Sequence, residues 1–336
     1  MKAVVLYETG GPEAFKVEDI PMPKLKPTEV LIKVAACGLC GHDQADRNGL
    51  TRVDKPVVLG HEISGTVVEI GSMVRHIKTG DRVATKQHSS CGNCIECRSM
   101  HDLQCSDRET VLGGYAEYAA VADGAVIKIP NGVDIEGASI VACAIGTSLR
   151  GVRHHAKVTQ GEMVVVTGAG GGLGLHALQV VKAFGAYTVA ITTSPHKVDS
   201  LKEYGADEVI VAHGDDYWQE ILDKTRGKGP QVVIDPVGHP DVFKPCFRAL
   251  AREGRYVFLG QVYRQKVDFF PAFLHGKEAN LTGGAATRMN EFLDSMEMVN
   301  QRLVTPVIQK FSLSDAVEAW RQVDARKVFG RAVLVP

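Results

Sequence analysis

The sequence lacks an excess of charge of either sign: 38 lysines and arginines face 39 aspartates and glutamates, a formal net charge of −1. No basic field is present to gather nucleic acid or anionic lipid, which excludes a nucleic-acid coat protein. Aromatic residues are few, at 6%, and there are no internal repeats or low-complexity tracts, so neither a disordered nor a collagen-like chain is expected. Long hydrophobic runs are missing as well. Only residues 3–7 are apolar before Glu8, too short for the core of a secretion signal. The longest uncharged stretch, 163–181, carries five glycines in its middle and then His176 and Gln179, which suits a strand, a turn and a helix start better than a membrane span. A cytoplasmic protein without membrane or nucleic-acid partners is expected, with its eight cysteines reduced and free to bind metal.

What is present suits a soluble enzyme. At about 150 residues per domain, 336 residues suggest two domains, long enough to bury a core without disulfides. The texture changes near residue 150. Before it, short β-rich runs (3–7, 30–35, 65–70, 82–85, 115–121, 126–129) are separated by Gly, Pro and Asp, a spacing that predicts an irregular barrel or sandwich. After it, strands at 163–167, 188–192, 208–211, 231–235, 255–259 and 280–282 alternate with helical patterns. In the first of these, Leu173, Ala177, Val180, Val181 and Phe184 share one helix face. That alternation predicts a parallel sheet covered on both faces. The tail carries two helical patterns, around Phe292, Met296 and Val299 and around 316–323, and a strand at 331–335; it is placed with the first domain.

Cys91, Cys94, Cys97 and Cys105 lie within fifteen residues. Four thiolates close a tetrahedron around zinc and leave no open position, which makes a structural site; an iron–sulfur cluster would use the same ligands. A second set is more dispersed: Cys37-Gly-Leu-Cys40-Gly-His42-Asp43, Gly60-His61-Glu62, and Cys143 in an apolar stretch. Alone, the first could be a redox dithiol and Cys143 a small buried hydrophobe. Jointly they have the composition of a catalytic zinc, with one position left for water or substrate.

Gly168-Ala-Gly170-Gly171-Gly172-Leu173-Gly174 joins an apolar strand to an amphipathic helix. Glycine lets the backbone turn sharply and approach a pyrophosphate, which the helix N-terminus then receives. The spacing fits G-x-x-G-x-x-G through Gly168, Gly171 and Gly174. After the next strand comes Thr192-Thr193-Ser194-Pro-His196-Lys197, with no carboxylate for ribose hydroxyls but with hydroxyls and a cation. That favours NADP(H) over NAD(H).

Together these residues resemble the zinc-dependent medium-chain dehydrogenase/reductase family, typified by the zinc alcohol dehydrogenases. The resemblance spans essentially the whole chain, including Gly113-Gly-Tyr-Ala-Glu-Tyr118, Gly146-Thr147 and Asp235-Pro-Val-Gly238. It implies an α/β chain with a GroES-like β-rich catalytic domain (1–148 and 285–336) and an inserted Rossmann, doubly wound parallel-sheet domain (149–284), with the active site in the cleft between them. It implies two zinc ions per chain. Cys40, His61 and Cys143 match the catalytic ligands, Glu62 the adjacent carboxylate that can ligate when water leaves, and Cys91, Cys94, Cys97 and Cys105 the structural site. Thr147 matches a hydroxyl near the nicotinamide, and a homodimer or homotetramer is implied.

Two departures stand out. His42 occupies the place where the family usually has the Ser or Thr that opens a proton relay, and Ala45 replaces its distal His. A shortened relay through His42 is expected, because imidazole exchanges protons near neutrality. The second half also resembles acryloyl-CoA and quinone reductases of the same superfamily, which reduce a carbon–carbon double bond without catalytic zinc. The intact Cys40, His61 and Cys143 set favours hydride transfer between an alcohol and an aldehyde or ketone. An enoyl-thioester or quinone reductase is the alternative, and a non-catalytic NADP-binding protein the remaining one.

Overall fold

In β3, Glu29–Gly38, nearly every position is apolar. Its Val30, Ile32 and Val34 face a core shared with Phe15, Tyr115 and Trp320, all buried. The computed structural model describes residues 1–260 and 265–336. Ahead of β3 run β1 (Lys2–Leu6) and β2 (Phe15–Asp19), and after it β4 (Val57–Val58), β5 (Glu62–Ile70), β6 (Arg82–Thr85), β7 (Tyr118–Ala122) and β8 (Val126–Lys128). Six further strands follow: β9 (Met163–Val166), β10 (Tyr187–Thr192), β11 (Glu208–Val211), β12 (Val232–Asp235), β13 (Arg255–Phe258) and β14 (Asn280–Gly283). The tail adds β15 (Ile308–Ser312) and β16 (Arg331–Val335).

Two compact units result. One comprises Met1–Gly146, Ala286–Arg302 and Pro306–Pro336; the other comprises Thr147–Ala285 and Leu303–Thr305. The first division falls inside a continuous helical run, 137–155, rather than after 148, so Thr147 and Ser148 pack with the second unit.

The first unit holds a three-stranded sheet, β2-β1-β4, and a larger one in the order β15-β16-β3-β5-β6-β8, with β7 also on β3. The tail enters through β16, which pairs antiparallel with β3 at Leu334↔Cys37 and Val333↔Gly38. Its helix, Ala316–Asp324, sets Trp320 against Phe15, with ring centroids 5.9 Å apart. The Arg47 guanidinium lies 5.1 Å above the same indole and pairs with Asp324 at 2.9 Å. These contacts clamp the C-terminal end of the short helix Gly41–Arg47. The expected strand over 115–121 begins only at Tyr118, because Tyr115 and Ala116 serve the other sheet: Tyr115 N donates to Leu59 O and Ala116 bridges Ala3.

The second unit is a six-stranded, all-parallel sheet in the order β11-β10-β9-β12-β13-β14. β9, Met-Val-Val-Val, is buried along its length, as a central strand covered on both faces must be. The order reverses at β9: β10 and β11 lie to one side of it, and β12 to β14 to the other. In open α/β sheets, that reversal is where the carboxyl ends of the strands open a crevice. Among the described residues, no helix is long and apolar enough to cross a membrane.

Asp207 fastens the turn before β11. It accepts from Thr188 N at 2.8 Å and Thr188 Oγ1 at 3.0 Å, and from Lys182 Nζ at 2.6 Å. Burial pushes its pKa up, but the Lys182 and Thr188 donors outweigh burial and hold it below the ordinary aspartate value. The folded state therefore binds this proton less readily than the unfolded chain. The stabilisation is present above about pH 4 and is lost as pH falls through the lower folded value. Asp207→Asn is expected to cost about 1 kcal/mol at pH 7. In urea titrations its deficit against the parent should shrink towards pH 3; a deficit that stayed constant would contradict the assignment.

Candidate metal and cofactor sites

Cys40 follows β3 and caps the helix Gly41–Arg47 from an extended backbone. His42 N donates to its Sγ at 3.5 Å, and Cys40 N donates to Asp43 Oδ2 at 3.0 Å. The antiparallel register of β3 with β5 sets Gly38 opposite Glu62, which brings His61 and Glu62 beside Cys40. Gly38 is required there, since a Cβ would collide with the Glu62 carboxylate. Cys143 comes from the run 137–155, where wide turns span Val141–Gly146, a distortion that recurs at functional sites. Thr287 Oγ1 holds that turn by donating to Ala142 O at 2.6 Å.

The three side chains converge. Cys40 Sγ lies 3.6 Å from Cys143 Sγ, and Cys143 Sγ lies 3.7 Å from His61 Nε2. Bonds of about 2.3 Å to sulfur and about 2.1 Å to nitrogen in a tetrahedron require separations of about 3.8 Å and about 3.6 Å. With a Glu62 oxygen included, all four donor atoms lie within 4.8 Å of one another.

The surrounding charges fit a dication. His61 Nδ1 lies 3.2 Å from Asp43 Oδ1, and Tyr115 Oη donates to Asp43 Oδ2 at 2.8 Å, so Asp43 fixes the ring and leaves Nε2 for a ligand. Burial opposes charging His61, yet the Asp43 carboxylate raises its pKa well above the imidazole value. Hydrogen bonding from Cys143 lowers Cys40 well below the usual thiol value despite burial, whereas the same bond and burial raise Cys143. The protein's own groups thus stabilise one thiolate, and a second needs a cation. Glu62 is buried and pushed up to about 7 by burial, with the Arg331 guanidinium acting against that rise. Neither Glu62 oxygen has a hydrogen-bond partner, and Arg331 Nη2 approaches Oε1 only to 3.3 Å. A buried carboxylate that accepts no hydrogen bond, at the rim of a thiolate and imidazole set, is what a metal site provides for.

His42 is half exposed. Its Nε2 lies 3.8 Å from Asp46 Oδ2 and its ring stands edge-on to His61 at 6.1 Å. It helps line a cavity of about 340 Å3 with Asp46, Arg52, Val53 and Leu112.

Cys91, Cys94, Cys97 and Cys105 form a separate cluster with sulfurs within 4.8 Å of one another. Cys91 and Cys105 sulfurs are 3.6 Å apart, and Cys91 N and Cys94 N point at sulfurs at 3.5 and 3.4 Å. The backbone N–H groups of Asn93 and Cys94 lead in pulling the Cys91 thiol down to about 7. The donor set fits a closed tetrahedral ion.

The glycine turn leaves β9 through Gly168, whose φ is +54°. Gly171 N closes it on Gly168 O at 3.0 Å, and Ala169 N ties it to Ile191 O at 3.0 Å. The helix Gly172–Ala183 starts at Gly171, which has no side chain to cap it, so the N–H groups of Gly172 and Leu173 open on a bare cradle suited to a phosphate. Lys197 is buried, and its Nζ reaches Gly170 O at 3.4 Å; a Cβ on Gly170 would come within 2.6 Å of Lys197 Cδ. The lysine therefore folds over the turn. Thr193 and Ser194 form the bend after β10, with Ser194 N bonded to Thr192 Oγ1 at 3.1 Å. Thr147 is buried just after the Cys143 turn.

Sequence reasoning missed Asp43, Tyr115 and Arg331. Asp43 carries a local signal, standing three residues after Cys40 as a capping partner. Arg331 carries none, since its Nη1 bond to Leu39 O, at 3.1 Å, joins residues 292 apart.

Residues 26–131 match the family model of the alcohol dehydrogenase GroES-like domain, and residues 172–301 that of the zinc-binding dehydrogenases. An acryloyl-coenzyme A reductase from Sulfurisphaera tokodaii is 33% identical over 346 residues, covering 100% of both chains. An NAD-dependent alcohol dehydrogenase from the same organism is also 33% identical, over 351 residues, with 100% of both chains covered. The crystal structure of a protein called AibC superposes with a TM-score of 0.91 at 37% identity, covering 100% of this chain and 96% of that one.

Proposed function

Because the chain belongs to the zinc-dependent medium-chain dehydrogenase/reductase family, we propose that it transfers hydride reversibly between an alcohol and an aldehyde or ketone, with a nicotinamide dinucleotide as partner. The observation that carries this reading is the convergence of Cys40, His61 and Cys143 beside the buried Glu62 carboxylate, which accepts no hydrogen bond. Zinc held by these residues supplies Lewis-acid polarisation of a substrate oxygen. Asp43 holds His61 in the tautomer that frees Nε2, and Arg331 holds Glu62 in reserve at the rim. His42, facing Asp46 and the adjoining cavity, carries the alcohol proton to solvent through Nε2. Cys91, Cys94, Cys97 and Cys105 hold a second, structural zinc.

The glycine turn receives the pyrophosphate, and Thr193, Ser194 and Lys197 favour NADP(H). Lys197→Ala is expected to weaken NADPH binding roughly tenfold, the worth of one charge-assisted bond, with NADH binding changed less. Fluorescence titrations with both cofactors measure this, and equal losses for the two would refute the selectivity. A homodimer or homotetramer is part of the same reading; exposed Phe270 and Phe273, just ahead of the edge strand β14, support it, and light scattering tests it.

The acryloyl-coenzyme A reductase relatives favour a second reading, reduction of an activated carbon–carbon double bond in a thioester. Zinc content and a panel of alcohols, aldehydes and enoyl thioesters separate the two. Two zinc ions with alcohol turnover support the first reading, and enoyl reduction without alcohol turnover supports the second.

A further inference from the structure

The motif Asp235-Pro-Val-Gly238 has no part in the chemistry above, yet its carboxylate is buried and accepts four hydrogen bonds. Asp235 ends β12 and is fully buried. Its Oδ1 accepts from Thr167 Oγ1 at 2.6 Å, from Val237 N at 2.9 Å and from Gly238 N at 3.1 Å. Its Oδ2 accepts from Tyr256 Oη at 2.7 Å. Burial first, and then the Asp235 charge, raise the Tyr256 phenol well above its ordinary value, which keeps it a donor.

The placement is specific. Thr167 is the residue between β9 and Gly168, and Val237 and Gly238 form the loop leaving β12. β9 and β12 are the neighbouring strands at which the sheet order reverses. The two loops already touch: a Cβ on Gly168 would lie 2.7 Å from Val237 Cγ2. One carboxylate therefore ties the two loops together at the carboxyl ends of β9 and β12. Its charge is taken up by four neutral donors, so it presents no free negative edge to an incoming phosphate.

We infer that Asp235 is a positioning residue for the dinucleotide, latching the glycine turn to the 235–238 loop through Thr167 so that both loops stand in the binding geometry before the cofactor arrives. This rests on the reading that the glycine turn holds a nicotinamide dinucleotide. The latch lowers the fraction of molecules with the turn displaced, and apparent affinity scales with the competent fraction.

The test compares Thr167→Val, Thr167→Ser and Tyr256→Phe in the full-length, zinc-loaded chain. The readouts are dissociation constants for NADPH and NADH by fluorescence, with the thermal midpoint of cofactor-free protein alongside. Thr167→Val removes only the bond to the turn and is expected to weaken binding of the preferred cofactor about tenfold. Thr167→Ser keeps the hydroxyl and should stay within about twofold of the parent. Tyr256→Phe breaks the bond on the other oxygen, away from the turn; its thermal midpoint should fall while affinity stays within about twofold. Thr167→Ala carries the same expectation as the valine variant should that one not fold. Parent-like affinity in Thr167→Val, or an equal loss in Tyr256→Phe, overturns the latch while leaving the dinucleotide reading intact. If the parent binds neither cofactor, that reading fails and the latch with it.

Discussion

Cys143→Ala is expected to lower alcohol oxidation by roughly three to four orders of magnitude, the equivalent of several kcal/mol of Lewis-acid stabilisation at about 1.4 kcal/mol per tenfold. The same variant should retain one zinc per chain instead of two, because the Cys91–Cys105 cluster shares no ligand with it. The size of the loss follows from the donor set. Removing Cys143 leaves Cys40, His61 and a Glu62 already engaged with Arg331, so the remaining ligands hold the ion weakly and with altered charge. The scaffold should tolerate the change. Alanine suits a helical run, and Ala142 O remains pinned by Thr287. Steady-state kinetics on an alcohol, metal analysis of the purified variant and its thermal midpoint separate loss of chemistry from loss of fold. Undiminished alcohol turnover with a single zinc would end the metal-assisted proposal. Undiminished enoyl-thioester reduction alongside lost alcohol turnover would move the assignment to the second reading.

How much of this the sequence discloses depends on the range of the interactions. The parallel sheet is legible because β9 to β13 are short apolar runs separated by helical periodicity, and all their pairing is of one kind. The four-cysteine cluster is legible because its ligands are neighbours along the chain. The dispersed site is legible only as residue types. What brings its parts together is the β3–β5 register and a wide-turned helix, and neither leaves a mark in a hydrophobic pattern. The strand expected from Tyr115 starts three residues later for a related reason: an apolar run does not say which of two sheets will take its backbone hydrogen bonds. Arg331 is invisible because a buried cation reads, in sequence, like any exposed one.

Lys86→Met is expected to destabilise the first unit by about 3–5 kcal/mol, the usual effect of stranding one member of a buried ion pair. Lys86 is 1% exposed and Asp102 5%, and the ammonium meets Asp102 Oδ2 in a close contact. The pair spans the base of the cysteine loop. Lys86 leaves β6 with its N bonded to Ala125 O, and Asp102 opens the turn that ends at Cys105. The other Asp102 oxygen, Oδ1, accepts from Met289 N at 3.3 Å, so the same carboxylate also anchors the start of the helix Met289–Asn300. Methionine fills the lysine's volume but cannot answer the charge, and Asp102 is left to draw in water or a proton. Cys105 then loses a firm base, and the structural zinc should be stripped by a chelator faster than from the parent while the Cys40 site keeps its ion. The double variant Lys86→Met with Asp102→Asn should recover much of the deficit, because the amide is neutral and can still accept from Met289 N. Urea unfolding and timed chelation report the two effects independently. A single variant within about 1 kcal/mol of the parent would mean the pair is hydrated in solution and does not brace the loop.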